Sequence, residues 1–167
     1  RVPKGKIKTV TIKQHRANQW FAIFSCELPN VAVKHQSVER VGVDVGIETF
    51  AALSSGELVS NPRHLVSGEA RLKLLHRRLS RKVRGSRNRV KARLRVARQY
   101  LQVANQRSDW LHKLSHRLAK SYGFIAVENL NIKGMMSNHC LAKHIGDASW
   151  SIFIRNLEYK AVKSGSK

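Results

Sequence analysis

Acidic residues are scarce in this chain: 10 Asp and Glu stand against 32 Lys and Arg in 167 residues, for a formal net charge of +22. Most of the basic side chains therefore have no acidic partner within the chain, and a polyanion is the natural partner. Cysteine is nearly absent. Cys26 and Cys140 lie in unrelated contexts with no CxxC spacing, which excludes a disulfide framework and suits a reducing compartment; both are expected to pack as small buried hydrophobes. Long apolar runs are missing too. The longest, such as Trp20 to Phe24, fall far short of the ~20 residues that span a bilayer, so no membrane partner is expected. The opening RVPKGKIK has no hydrophobic stretch behind its charges, so it reads as neither a signal peptide nor an intact start, and a cytoplasmic, nucleoid-associated protein is expected. Aromatics are sparse among the arginines, which weakens the idea of a base-stacking platform.

What is present is enough to fold. The 42% of hydrophobic residues can bury the core of one ordinary domain with a small appendage. Residues 7–13 (IKTVTIK) and 19–26 (QWFAIFSC) are β-branched and aromatic runs around a polar QHRAN turn, a β-hairpin signal. Residues 30–39 read as a connector. RVGVDVG, TFAALS and ELVSNP then predict three short strands in an antiparallel meander.

From Gly68 the spacing turns helical, with Leu72, Leu75 and Leu79 on one face, until RGSRN at 84–88 interrupts it. A second helix is predicted over Arg89–Tyr122 on the recurrence of Leu94, Ala97, Leu101, Ala104, Leu111 and Leu118. At 1.5 Å per residue it would be roughly 50 Å long, and the two helices fold back most simply as a hairpin. FIAVENL reads as a strand, NIKGMMSNHCLAKHIG as a loop, and DASWSIFIRNLEYKAVK as a final amphipathic helix.

The charge is localised. Residues 71–120 hold 17 Lys and Arg and one acid, Asp109, so they contribute +16; residues 71–98 hold 13 basic side chains and no acid. A solvated helix face normally interleaves Glu and Lys at i,i+4, and here the acids are missing. The expected nucleic-acid contacts are Arg77, Arg78, Arg81, Lys82, Arg84, Arg87, Arg89, Lys91, Arg93, Arg95 and Arg98. Their arginine bias favours bidentate phosphate binding without implying sequence reading.

Two carboxylates sit at strand positions. In VGVDVG the three valines point one way, while Gly42, Asp44 and Gly46 point the other. The absent side chains leave room for a metal ion and a phosphate beside Asp44; the alternative is a strand-end Asp bonding to a turn. Glu128 ends the apolar FIAVE. A strand returning parallel to the first would place both acids near one sheet edge. Oxygen ligands of this kind select Mg²⁺ or Mn²⁺, and a pair of such ions can support phosphodiester hydrolysis.

At these residues a resemblance becomes specific. GVDVGIETFAALSSGE, RLKLLHRRLSRKVRGSRNRVKARLRVARQY, SDWLHKLSHRLAKSYGFIAVENLNIKGMM and DASW closely resemble the RuvC-like core of TnpB-type proteins. These are the OrfB-like transposases of small insertion sequences, related to type V CRISPR effector nucleases. The resemblance runs from about Val41 to Lys163, and the 7–26 hairpin is similar to the end of the family's preceding β-domain.

The resemblance implies an α/β, RNase H-like (RuvC-like) mixed sheet with a long basic helical hairpin, 69–122, inserted in it. It divides the chain into a β-domain remnant, 1–36, and a RuvC-like domain, 37–167, incomplete at its C-terminus. It implies an RNA-guided DNA endonuclease whose first two catalytic, metal-binding acids correspond to Asp44 and Glu128, with DNA and guide RNA as partners. The family's zinc ribbon of paired CxxC motifs, its third catalytic Asp and its N-terminal helical region have no counterpart in this sequence, so impaired cleavage is expected of this chain by itself. A non-catalytic RNA or DNA binder, and a junction-resolving recombinase of the RuvC type, are the alternatives.

Other candidates carry less. Asp147 reads as the N-cap of the final helix and Glu158 as surface. His112 with His116, and His139 with Cys140 and His144, lack the further ligands a zinc site requires. Trp110, Leu111 and Leu114 read as core, and Met135 and Met136 as loop padding.

Overall fold

The computed structural model describes residues 5–27 and 37–167. The chain divides into two compact units. One holds the described residues up to Glu27 together with Gly68–Ala104; the other holds those from Ser37 to Ser67 together with Asn105–Lys167. This grouping differs from a cut at 36/37, because residues 68–104 cluster with the N-terminal hairpin. The connector predicted at 30–39 lies largely outside the described residues. No described helix is long and apolar enough to cross a membrane.

In the first unit, β1 (Lys6–His15) pairs antiparallel with β2 (Gln19–Glu27), as predicted, with an irregularity between Ile7 and Thr9. Val10 and Ile12 face Phe24 and Ala22 on one side of the ribbon, Thr11 and Lys13 face Ile23 and Phe21 on the other, and Trp20 and Ile23 are half or more exposed. The turn is tied down at Ala17, which is fully buried; the Arg98 Nε donates to its carbonyl at 3.5 Å.

Helix α1 spans His64–Ser80 and α2 spans Arg87–Ser121. Within Gly68–Ala104 they touch at Gly68, where an added Cβ would meet Val103 Cγ2 at 2.9 Å, and at a 3.0 Å His76–Tyr100 hydrogen bond. The seam on α2 is Ala92, Val96, Gln99 and Val103, displaced from the predicted Leu94, Ala97, Leu101 and Ala104.

In the second unit, β3 (Arg40–Val45), β4 (Thr49–Leu53) and β5 (Leu58–Ser60) form the predicted meander, and β6 (Phe124–Val127) runs parallel to β3, giving the order β5-β4-β3-β6. Gly46 permits the tight β3–β4 turn, since a Cβ there would lie 2.8 Å from the Thr49 carbonyl oxygen. Val41, Val43 and Val45 enter a core with Phe50, Leu53, Leu111, Leu114, Leu118, Trp150, Phe153 and Leu157. Phe50 packs edge-on against Trp110 (4.6 Å) and Phe153 (5.2 Å).

Several expectations are corrected. The stretch read as a loop forms α3 (Ile132–Met135) and α4 (His139–Ala148), because Asn131 and Asn138 cap them by accepting from the Gly134 and Cys140 amides at 3.0 Å. Helix α5 begins only at Trp150, after Ser149 adopts φ 56°. Asp147 is a cap, but of α1: its carboxylate accepts from the Leu65 amide at 2.9 Å and more weakly from Val66, which draws the start of α1 back from Gly68 to His64. It is 5% exposed and lies 3.7 Å from Arg107. Cys140 is exposed and Cys26 half-buried, so neither is a core hydrophobe; Cys140 lies in the outward first turn of α4. After α5 (Trp150–Ser164), Lys167 donates to the Gly123 carbonyl at 2.9 Å and accepts from the Ile125 amide at 2.8 Å, a parallel bridge on the outer edge of β6.

Candidate functional site

The alternation along β3 leaves Val43 and Val45 buried and Asp44 exposed between them. The β3–β6 register ends at Val43↔Val127, and one further step sets Asp44 beside Glu128, the exposed residue that follows β6. In a parallel pair, neighbours in register share a face, so both carboxylates emerge on the open side of the sheet at the C-terminal ends of the two strands. The two acids are thus brought together.

Their surroundings are small. Asp44 and Glu128 share an open depression of about 650 Å³ with Gly42, Ala52, Ser54 and Ala126. Ala52 stands opposite Asp44 on β4. Ser54 closes the β3–β4 ladder: its amide donates to the Gly42 carbonyl and its Oγ accepts from the Gly42 amide, both at 2.9 Å. Sequence reasoning missed Ala52, Ser54 and Ala126. Their signal was the run of short side chains at alternate positions, visible only once the strand order is known.

Two carboxylates with room above them are a hard, all-oxygen donor set. They fit Mg²⁺ or Mn²⁺, ions commonly held by one or two carboxylates with the remaining positions left to water and phosphate. Among the described residues no group of three or more His, Cys, Asp and Glu is placed to hold a metal. Exposed His112 is within 3.4 Å of the Tyr159 hydroxyl through Nδ1. Glu158 is exposed, as expected.

The basic candidates lie on α1, the turn after it and α2. All are exposed except Arg89. Its Nη1 donates to the Lys82 carbonyl at 2.9 Å and the Leu79 carbonyl at 3.3 Å, so it caps the C-terminal end of α1. Elsewhere in the second unit, Arg117 grips Glu57 with two hydrogen bonds of 2.9 and 2.7 Å; these hold the Glu57 carboxyl below its usual range and raise the Arg117 guanidinium. Burial lowers the Lys160 ammonium, which donates to the His112 carbonyl and to the Ser115 Oγ.

Comparison with known proteins adds a family. Residues 23–139 match a family described as "Probable transposase", OrfB of the IS605 type. A Streptomyces pristinaespiralis protein named "Putative RNA-guided DNA endonuclease" is 39% identical over 98% of this chain and 41% of its own length. A protein of Escherichia coli K12 with the same description, InsQ, is 28% identical over 98% of the chain and 44% of its own length, and one from Mycobacterium tuberculosis is 34% identical over 76% and 30%. The chain thus spans less than half the length of these relatives.

Proposed function

Because the chain belongs to the OrfB family of IS605-type transposases, we propose that it is the RuvC-like, RNase H-fold core of an RNA-guided DNA endonuclease, with the basic helices 69–122 inserted as a hairpin and residues 1–36 belonging to a preceding β-domain. DNA and a guide RNA are its partners and Mg²⁺ or Mn²⁺ its cofactor, in a cytoplasmic, nucleoid-associated setting. The observation that carries this reading is the meeting of Asp44 and Glu128 on the open side of β3 and β6.

Asp44 and Glu128 would hold the cations, which when bound supply two-metal hydrolysis of a phosphodiester. Gly42, Ala52 and Ala126 leave space for the sugar-phosphate backbone to approach the carboxylates. Lysines and arginines of the basic helices neutralise phosphates and position the strands without reading bases.

Mn²⁺ titration by calorimetry tests the site directly. The wild-type chain binds Mn²⁺, and Asp44→Asn and Glu128→Gln each weaken that binding by about tenfold or more, since each removes one of two charged ligands. Unchanged affinity in both variants rejects the assignment. One observation favours a second reading, in which the chain by itself binds nucleic acid without cleaving it: no third acid is grouped with the pair among the described residues. In that case Asp44→Asn leaves oligonucleotide affinity intact and Mg²⁺ produces no hydrolysis.

A further inference from the structure

The basic candidates do not form one uniform stripe. Arg78, Arg81 and Lys82, from the last turn of α1 and just beyond it, and Asn88, Lys91 and Arg95, from the first turns of α2, line a single concavity of about 430 Å³. On α2 these positions are spaced i, i+3 and i+7, one face of the helix. The floor is apolar, made by half-buried Leu75 and buried Ala92. No acid lines it, and the acids of the surrounding segment are absent from 71–98 altogether. Arg77, Arg84, Arg87 and Arg93 lie outside it, although they are equally exposed.

Arg89 explains how the concavity is kept open. Its guanidinium bonds to the Leu79 and Lys82 carbonyls, fixing the end of α1 against the start of α2, so it is a positioning residue and not a phosphate ligand.

We propose that this concavity is a phosphate socket, built to hold successive phosphates of a nucleic-acid backbone between the two helices, and that binding is focused there. The inference rests on the nucleic-acid reading above and deepens it. Five cations converging on one concavity repel one another in the free protein and are relieved by a polyanion. Guanidinium forks from α1 and α2 approach one phosphate group from two sides, which a convex helix face does not allow. The amide of Asn88 adds a neutral donor. The ligand chemistry is the phosphodiester, and the source is RNA or DNA.

The test compares two triple variants of the whole chain, equal in charge removed. Arg78→Gln/Lys91→Gln/Arg95→Gln empties the socket; Arg77→Gln/Arg84→Gln/Arg93→Gln removes outside charge. Affinities are measured for a DNA duplex and an RNA duplex of the same sequence across a salt series, and melting temperatures with and without inorganic pyrophosphate. The socket triple is expected to lose about tenfold more affinity than the outside triple, with a salt slope reduced by roughly one per lost contact; the duplex that shows the difference identifies the source.

Without ligand the socket triple melts at or above the wild type, and pyrophosphate raises the wild-type melting temperature but not that of the socket triple. Equal losses in the two triples overturn the socket while leaving nucleic-acid binding in place. No loss in either overturns both. A socket triple that melts below the wild type without ligand makes these cations structural and overturns the proposal.

Discussion

The two compact units put charge to opposite uses. Residues 71–98 of the first carry 13 cations and no acid, over a thin seam of Leu72, Ala92, Val96 and Val103. The second buries Phe50, Leu111, Leu118, Trp150 and Phe153 and spends that packing on holding two acids side by side. In the first unit most of the charge resides in composition, and only the concavity lined by Arg78, Arg81, Lys82, Lys91 and Arg95 depends on how α1 and α2 are placed. In the second the chemistry resides in register: slipping β3 by one residue would turn Asp44 into the core and Val43 into solvent.

The comparison predicts unequal responses to mutation. The largest is in the packed unit, where Phe50→Ala removes the ring between Trp110 and Phe153 and is expected to cost about 3–5 kcal/mol in urea unfolding. A cost below about 1 kcal/mol would mean the sheet is not held by this core. Asp147→Ala comes next. It leaves the Leu65 amide unpaired and removes the carboxylate beside Arg107, which keeps its hydrogen bond to the Gly146 carbonyl, for a loss of about 2 kcal/mol; Asp147→Asn, which keeps an acceptor, should recover part of it.

In the basic unit, Arg89→Ala removes the guanidinium from the Lys82 and Leu79 carbonyls, the latter keeping the Lys82 amide, and should cost about 1 kcal/mol. Amide exchange near Leu79–Lys82 would then speed up without change in the second unit, and uniform exchange would blur the distinction between the units. The smallest effect concerns Glu57. Its carboxyl is held below the ordinary value of 4.5 by the Arg117 hydrogen bonds, so the pair contributes above that value and its contribution is lost as pH falls through the depressed one. Both partners are largely exposed, so Glu57→Gln should cost under about 1 kcal/mol near neutral pH, with the difference from wild type vanishing in acid.

The same contrast explains what could be read in advance. The hairpin, the meander and the alternation around Asp44 were legible because β-branched residues at period two, with polar turns between them, have few other ways to fold. The parallel return of β6 beside β3 followed from the long helical excursion between them. Asp147 was legible as a cap but not as the cap of α1, because a carboxylate 82 residues away in sequence leaves no local trace. The helices α3 and α4 were missed because their signal is two asparagines in a polar stretch. Ser54 and Ala126 were invisible as site residues because short side chains acquire meaning only beside the groups they make room for. Arg89 looked like its neighbours in composition, and only its carbonyl partners set it apart.

In the proposed site Asp44 and Glu128 ligate cations jointly and neither acts alone. The most direct measurement is paramagnetic broadening of backbone amide signals by substoichiometric Mn²⁺. Signals at the ends of β3 and β6 should broaden together, and Glu128→Gln should abolish the broadening around Asp44 as well as its own. If the Asp44 signals still broaden fully in Glu128→Gln, the two acids act separately and the shared site is contradicted.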